Sequence, residues 1–304
     1  MRKVLPFILF ASLILLPCCK GGAQKGDASS DSLEHAPSAA AEAAISPAPV
    51  SFRTDSFKYS LTGKMGRCDV YLDYPVEGPQ QVVSSVREWM KSTMFENGTS
   101  TMTDDPMQLV RAYCQERQAV LSKTLEQMDI ASVSKDDAPE EGIEIRLVCS
   151  NDRFVTYEVY RYSYITHGAH GEYSDYGTTF SMADGHRLGN VVREMDEQLF
   201  VHVREGLKSY FEITSDEQLE AICTADLSLM PMPTFPPYLV RDGVRFHYSI
   251  YDVCPFDWGD PVLTIPYDVV RPYLTQEALD VIGGKKPQMA CADSREKEGL
   301  MTPI

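Results

Sequence analysis

Two loops carry the side chains of this sequence that are best suited to chemistry or recognition. The first loop contains His167, His170 and Glu172, which are two imidazoles and one carboxylate within six residues. Such a set could bind zinc if the loop curls, but no predicted helix holds the two histidines at the spacing used by metallopeptidases. We therefore expect no metal or other cofactor here. We expect a structural His170 that donates a ring N–H to a backbone carbonyl across the turn.

The second loop is acidic and aromatic. It places Asp252, Asp257 and Asp260 around Trp258, next to a Pro-Gly turn. Aspartate and tryptophan in such a setting favour an exposed, rigid contact surface. The alternative is a solvated loop with Trp258 folded inward.

The rest of the chain gives little support for an enzyme. His247 lies in a predicted strand on the face opposite Phe246 and Tyr248, so we expect it to be a partly exposed surface residue. The sequence contains no Gly-x-Ser-x-Gly nucleophile elbow, no phosphate-binding P-loop and no His-Glu-x-x-His zinc motif. Its acidic residues are too numerous for the sequence to single out a glycosidase pair. We therefore assign no catalytic residues.

The N-terminal residues indicate export and lipid attachment. Residues 4–16 form an apolar run after a basic start, and a run of this length is a signal peptide and not a membrane span. A cysteine directly after such a run resembles a bacterial lipoprotein cleavage site. We therefore expect residues 1–19 to be the signal peptide and lipobox, with a lipid such as palmitate on Cys19. The alternatives are lipidation of Cys18 and an ordinary secretory signal.

The predicted location is the bacterial cell envelope, with the protein lipid-anchored and facing the periplasm or the cell exterior. Residues 20–53 are rich in Gly, Ala, Ser and Pro, which predicts a disordered tether. Removal of the leader leaves 26 basic against 44 acidic residues, a net charge of −18 compared with −16 for the whole chain. An acidic surface argues against nucleic acid as a partner and favours cationic partners.

Six cysteines follow the predicted lipidation site, and export permits disulfides between them. They are Cys68, Cys114, Cys149, Cys223, Cys254 and Cys291. Six thiols allow 15 pairings, and the sequence does not choose among them. A chain of this size does not need disulfides, so several of them could equally be buried free thiols.

The predicted elements indicate an α+β fold. Strand patterns cluster first, then helical patterns, then strands again, and Asp105 and Asp196 stand where helix caps are expected. We expect an antiparallel sheet with helices packed on one face. It could form one elaborate domain or two small fused subdomains, at 54–163 and 164–282, followed by a tail at 283–304.

Patterns in both loops resemble a family of bacterial envelope domains. They are Gly168-Ala169-His170-Gly171 in the first loop, Tyr251, Pro255, Phe256 and Gly259 in the second, and the ending Ile265-Pro266-Tyr267. The family forms the extracellular region of the lysozyme-sensing anti-sigma factor RsiV and the accessory domain of PdaC-type peptidoglycan deacetylases. His167 stands where the family usually has glycine.

The resemblance implies a non-catalytic envelope lipoprotein that binds or senses a wall-related ligand or protein. The implied partners are a lysozyme-like cationic protein and a peptidoglycan fragment, recognised on the face that bears both loops. The predicted binding residues are His167, His170, Glu172, Tyr251, Phe256, Asp257, Trp258 and Asp260. The alternative is a metal-dependent or carboxylate-based hydrolase that acts on peptidoglycan or glycans through His167, His170 and Glu172.

Overall fold

A computed structural model describes most of the chain after the predicted tether. The described residues are 51–63, 66–95, 103–128, 130, 134, 137–194, 196–224, 226–227 and 230–283. The predicted signal peptide, the predicted lipidation site Cys19, most of the predicted tether and nearly all of the predicted tail lie outside them. Among the described residues, no helix is long and apolar enough to cross a membrane.

The larger of two sheets has five strands in sequence order. They are β1 (Arg53–Gly63), β2 (Gly66–Glu77), β3 (Glu140–Ser150), β4 (Phe154–Tyr164) and β5 (Glu172–Ser181). All neighbours pair antiparallel except β2 and β3, which run parallel. The parallel pair arises because the chain between β2 and β3 makes a helical crossover, and parallel neighbours require such a connection.

The crossover consists of α1 (Gln80–Met94) and α2 (Pro106–Gln127). Asp105 caps α2 by accepting hydrogen bonds from the backbone N–H groups of Met107 and Gln108, with Pro106 in the first turn. Both helices bury apolar residues in one cluster with the inward face of β4, which carries Val155, Tyr157 and Val159. The predicted α+β class, with helices on one face of a mostly antiparallel sheet, is confirmed.

The second sheet has three short antiparallel strands. They are β6 (Tyr238–Leu239), β7 (Gly243–His247) and β8 (Val262–Pro266), and the helices around them are α3 (Glu197–Tyr210), α4 (Asp216–Ile222), α5 (Tyr267–Val270) and α6 (Gln276–Ile282). Val244 and Phe246 of β7 share a buried apolar cluster with Leu199 and Val203 of α3. One face of the small sheet is therefore an ordinary hydrophobic core.

The other face of the small sheet meets the large sheet through polar groups. The Tyr238 hydroxyl donates to Glu158 Oε1 at 2.8 Å, and Arg245 forms an ion pair with the same carboxylate. The Thr156 hydroxyl donates to the Leu239 carbonyl at 2.8 Å. We call this contact the polar interface. The predicted subdomain boundary at residue 164 falls where β4 ends, and the division into subdomains stays a prediction.

Candidate binding site

The two loops singled out by the sequence meet in space. The ring of His170, in the β4–β5 loop, stacks on Phe256 with 4.0 Å between ring centroids and 24° between planes. The Tyr251 hydroxyl lies 3.5 Å from His170 Nε2. His170 Nδ1 lies 2.9 Å from the carbonyl oxygen of Gly171, in line with the structural role expected for this ring. The β4–β5 and β7–β8 connections therefore share one surface.

Two tyrosines of the large sheet extend this surface. Tyr173 lies edge-on to Phe256, with 6.1 Å between centroids, and Tyr160 follows at 6.4 Å from Tyr173. Burial raises the pKa of each phenol to about 12; the carboxylate of Glu144 adds to the shift at Tyr160 and that of Asp260 at Tyr173. We call His170, Tyr251, Phe256, Tyr173 and Tyr160 the aromatic surface.

A tight turn presents Tyr251 to solvent. Tyr251 is 60% exposed and has a φ of 69°, a left-handed conformation that disfavours residues other than glycine. The Asp252 carboxylate stabilises the turn, because it accepts hydrogen bonds from Ser249 N at 2.8 Å, Thr234 N at 3.1 Å and the Thr234 hydroxyl at 2.6 Å. Asp252, which the sequence suggested as part of a contact surface, thus has a structural role.

A second strained residue shapes the β4–β5 loop. His167 has a φ of 68°, the conformation that a glycine at this position would adopt readily. Asp137 holds it there, since its carboxylate accepts from His167 N at 3.3 Å and lies 3.0 Å from His167 Nδ1. The Tyr164 hydroxyl also donates to Asp137. These hydrogen bonds, Tyr164 first and the His167 backbone second, lower the pKa of the Asp137 carboxyl.

The acidic loop places its residues on different sides. The 3-10 helix Phe256–Trp258 carries Phe256 into the aromatic surface, while Trp258 makes an edge contact with Phe211 at 5.8 Å. Trp258 is 47% exposed, so the predicted exposed position is correct and the inward alternative is not. Asp257 is exposed, as is Glu172 in the other loop.

The prediction that His247 is partly exposed is wrong. Its side chain is 2% exposed, because the second face of β7 is covered by β5 of the large sheet. His247 Nε2 lies 3.0 Å from Asp260 Oδ2, and His247 Nδ1 lies 3.7 Å from Asp175 Oδ1. Asp260, a predicted contact residue, therefore points its carboxylate at a buried imidazole.

These three residues are also the candidate ligands for a metal ion. Among the described residues, the group of side chains whose ligand atoms come together is Asp175, His247 and Asp260, within 4.8 Å of one another. His167 is instead paired with Asp137. Sequence reasoning missed Asp175 and His247. The alternation of Arg245 and His247 with apolar residues along β7 is typical of a strand with one solvated face, so this pattern pointed away from the second covered face that the structure shows.

Most of the cysteines that the structure describes are reduced. Cys149 is disulfide-bonded, whereas Cys68, Cys114, Cys223 and Cys254 are free thiols. The Cys114 thiol donates to the Cys68 carbonyl at 3.4 Å, in the core between α2 and β2. Of the two uses left open by the sequence, buried free thiols therefore account for most of the described cysteines.

Comparison with known proteins shows a relationship at the level of structure. No protein-family model matches the sequence, and no curated protein matches it. A crystal structure of a DUF3298 family member from Bacteroides fragilis superposes with a TM-score of 0.61 at 21% identity, covering 78% of this chain and 99% of that one. The chain shares its fold with that DUF3298 protein. A DUF3298 family protein from Pseudomonas aeruginosa gives a TM-score of 0.48 at 14% identity, over 76% of this chain and 97% of that one.

Proposed function

We propose that this protein is a non-catalytic, lipid-anchored binding protein of the bacterial cell envelope, and that its aromatic surface binds a cationic, lysozyme-like protein. The observation that carries the proposal is the stacking of His170 on Phe256 beside the exposed ring of Tyr251. Aromatic side chains of this kind dominate the energy of protein interfaces, because they bury a large area at a low cost in conformational entropy.

The charge around this surface favours a cationic partner over a neutral sugar. Glu172 and Asp257 are exposed in the two loops that form it, and the chain carries a net charge of −16. Such an arrangement accelerates encounter with a positively charged protein and selects against anionic ones. A bare aromatic platform without acidic neighbours would suit a sugar ring equally well.

The surface is also preorganised. Tyr251 and His167 both hold a left-handed backbone, and each is fixed by the carboxylate of an aspartate, Asp252 and Asp137 respectively. Residues held in sparsely populated conformations cluster at ligand-binding sites. A rigid surface loses less entropy on binding than a mobile one, so these two turns support recognition.

The proposed location in the cell envelope depends on the N-terminal sequence and on the similarity to bacterial protein families. The sequence of residues 1–19 favours lipid attachment at Cys19, which would hold the domain outside the cytoplasm. The fold shared with a DUF3298 protein supports membership of that bacterial family. The motif resemblance to the extracellular region of RsiV supports lysozyme as the model partner.

The decisive experiment measures binding of the purified full-length lipoprotein in detergent to a purified lysozyme. We expect saturable binding that weakens with salt, and a loss of about tenfold or more for Tyr251→Ala and Phe256→Ala, as for interface hot spots. Met128→Ala is the matched control, because Met128 is 48% exposed at the end of α2. Absence of binding by folded wild-type protein would overturn the proposal.

A parallel assay replaces lysozyme with purified peptidoglycan sacculi. Retention on sacculi that depends on Tyr251 and Phe256, without lysozyme binding, would identify a wall glycan as the ligand and refute the cationic-protein assignment. Substitution of an acidic residue of the surface distinguishes the cationic-protein ligand from the wall-glycan ligand further. Asp257→Asn should weaken lysozyme binding, whereas Glu88→Gln, an exposed acidic residue on α1, should leave it unchanged.

A further inference from the structure

We propose that Asp175, His247 and Asp260 form a binding site for a divalent transition-metal ion of the zinc class, between the two sheets and beneath the aromatic surface. The residues come from three separate places in the fold. Asp175 lies in β5, His247 ends β7, and Asp260 precedes β8. One ligand atom from each lies within 4.8 Å of the others.

The donor set fits such an ion. One imidazole nitrogen with two carboxylate oxygens is a combination that zinc and its neighbours accept, and hard cations such as Mg²⁺ prefer oxygen donors alone. Metal–ligand bonds of about 2.1 Å in a tetrahedron place ligand atoms roughly 3.4 Å apart. His247 Nε2 and Asp260 Oδ2 are already 3.0 Å apart. The three ligand atoms lie within 4.8 Å of one another, so the site would contract on binding an ion, and three protein ligands leave a fourth position for water or an external ligand.

A second, independent observation points into the same place. His247 is 2% exposed, and its Nδ1 makes no hydrogen bond to any described residue. The closest acidic group, Asp175 Oδ1, is 3.7 Å away, which is beyond hydrogen-bonding distance. A buried polar atom is normally satisfied. Coordination of a cation by Nδ1, with the ring turned so that this atom faces both carboxylates, would satisfy it.

The electrostatics of the polar interface favour the same conclusion. The two carboxylates of Asp175 and Asp260 converge on an imidazole that is electrically neutral when it acts as a metal ligand. A divalent cation would neutralise them, and buried charges in proteins are generally paired or metal-bound.

Metal binding would connect the interior to the recognition surface. Asp260 follows the 3-10 helix Phe256–Trp258 closely in sequence. An ion at Asp260 would therefore fix the loop that carries Phe256. The site itself is independent of the proposed function, since it requires no partner protein.

The test is a titration of chelator-treated full-length protein with Zn²⁺ alone, followed by calorimetry and native mass spectrometry. We expect one ion per chain and a rise in the unfolding temperature, because ligands that bind the native state stabilise it. His247→Gln and Asp175→Asn should weaken binding by about 100-fold, the upper end of the loss seen when even a supporting residue is removed. His186→Gln, an exposed histidine paired with Glu277, is the matched control.

A spectroscopic measurement keeps the proposal falsifiable if the variants fold poorly. The protein has six histidines, and ¹⁵N labelling of their rings distinguishes a metal-bound imidazole from an imidazolium held between two carboxylates. We expect Zn²⁺ to shift the resonances of His247 at one equivalent. An unresponsive His247, an imidazolium signature that persists with Zn²⁺, or one-to-one binding that survives in folded His247→Gln would each overturn the assignment.

Discussion

The ring of Tyr238 lies directly against the backbone of Gly177. A Cβ placed on Gly177 would be 2.3 Å from Cδ2 of that ring, which is far inside contact distance. Gly177 pairs with Glu158 across β4 and β5, and the Tyr238 hydroxyl donates to the same Glu158. The missing side chain at Gly177 therefore allows the small sheet to approach the large one closely enough to form the polar interface.

Gly177→Ala should destabilise the protein by about 1–3 kcal/mol, the usual cost of overpacking. Gly189→Ala is the matched control, because a Cβ at Gly189 meets no atom within 4 Å and its φ is not left-handed. Urea unfolding of both variants gives the comparison. Equal stability of the two variants would mean that the contact between Gly177 and Tyr238 is looser than described.

A pair of substitutions at His167 tests whether the β4–β5 loop is strained. His167→Ala keeps the left-handed φ of 68° with a side chain that disfavours it, whereas His167→Gly removes that cost. We expect the glycine variant to be more stable than the alanine variant by about 1–2 kcal/mol, the cost of this conformation for a residue with a Cβ. Chemical denaturation measures the difference, and an alanine variant at least as stable as the glycine variant would contradict it.

Alkaline pH should weaken the fold through the aromatic surface. The pKa values of Tyr160 and Tyr173 are raised to about 12 in the folded protein, against about 10 in the unfolded chain. Between these values the unfolded state loses its phenol protons first. The stability present below pH 10 is therefore lost as pH rises toward 12.

The variants Tyr160→Phe and Tyr173→Phe isolate this contribution from those of other buried tyrosines. Each variant should show a shallower loss of stability across the same pH range than wild type, as measured by urea midpoints at successive pH values. Spectrophotometric titration should show correspondingly fewer late-ionising phenols. Parallel pH profiles for wild type and both variants would show that these hydroxyls are not perturbed.

The free thiols should differ in reactivity. Burial raises the pKa of the Cys223 thiol and raises that of Cys254 to about 11, and the contact with the Cys114 thiol together with burial raises the pKa of Cys68. Because the thiolate is the reactive form, maleimide should label half-buried Cys223 first. Cys68, Cys114 and Cys254 should react only after unfolding. Peptide mapping by mass spectrometry reads out each site, and rapid native labelling of Cys68 would contradict the buried position.

Local features of the fold were predictable from the sequence because their causes are local. Asp105 and Asp196 cap α2 and α3 as expected, each by accepting hydrogen bonds from two backbone N–H groups of the first turn. Each of these signals lies within a few residues of the structure it determines. The same holds for the exposure of Trp258, which follows from a tight turn.

The candidate site could be predicted only in part, because its contacts are long-range. The contact of His170 with Phe256 was expected from the family resemblance. The residue pattern of either segment alone does not predict it. The burial of His247 depends on which strand covers the second face of β7, and that strand is β5, far away in sequence. Asp137 as the partner of His167 is another contact between distant segments.

The parallel pairing of β2 with β3 has a consequence for how the protein matures. A chain emerges from its N-terminus during synthesis, so the β1–β2 hairpin can close early. The inner edge of β2 then stays unpaired until its partner β3 (Glu140–Ser150) has emerged, and β3 follows both crossover helices in the chain. Until that moment an unpaired strand edge is open to other chains. Chaperones that cover this edge, more than final stability, should therefore set the yield of folded molecules.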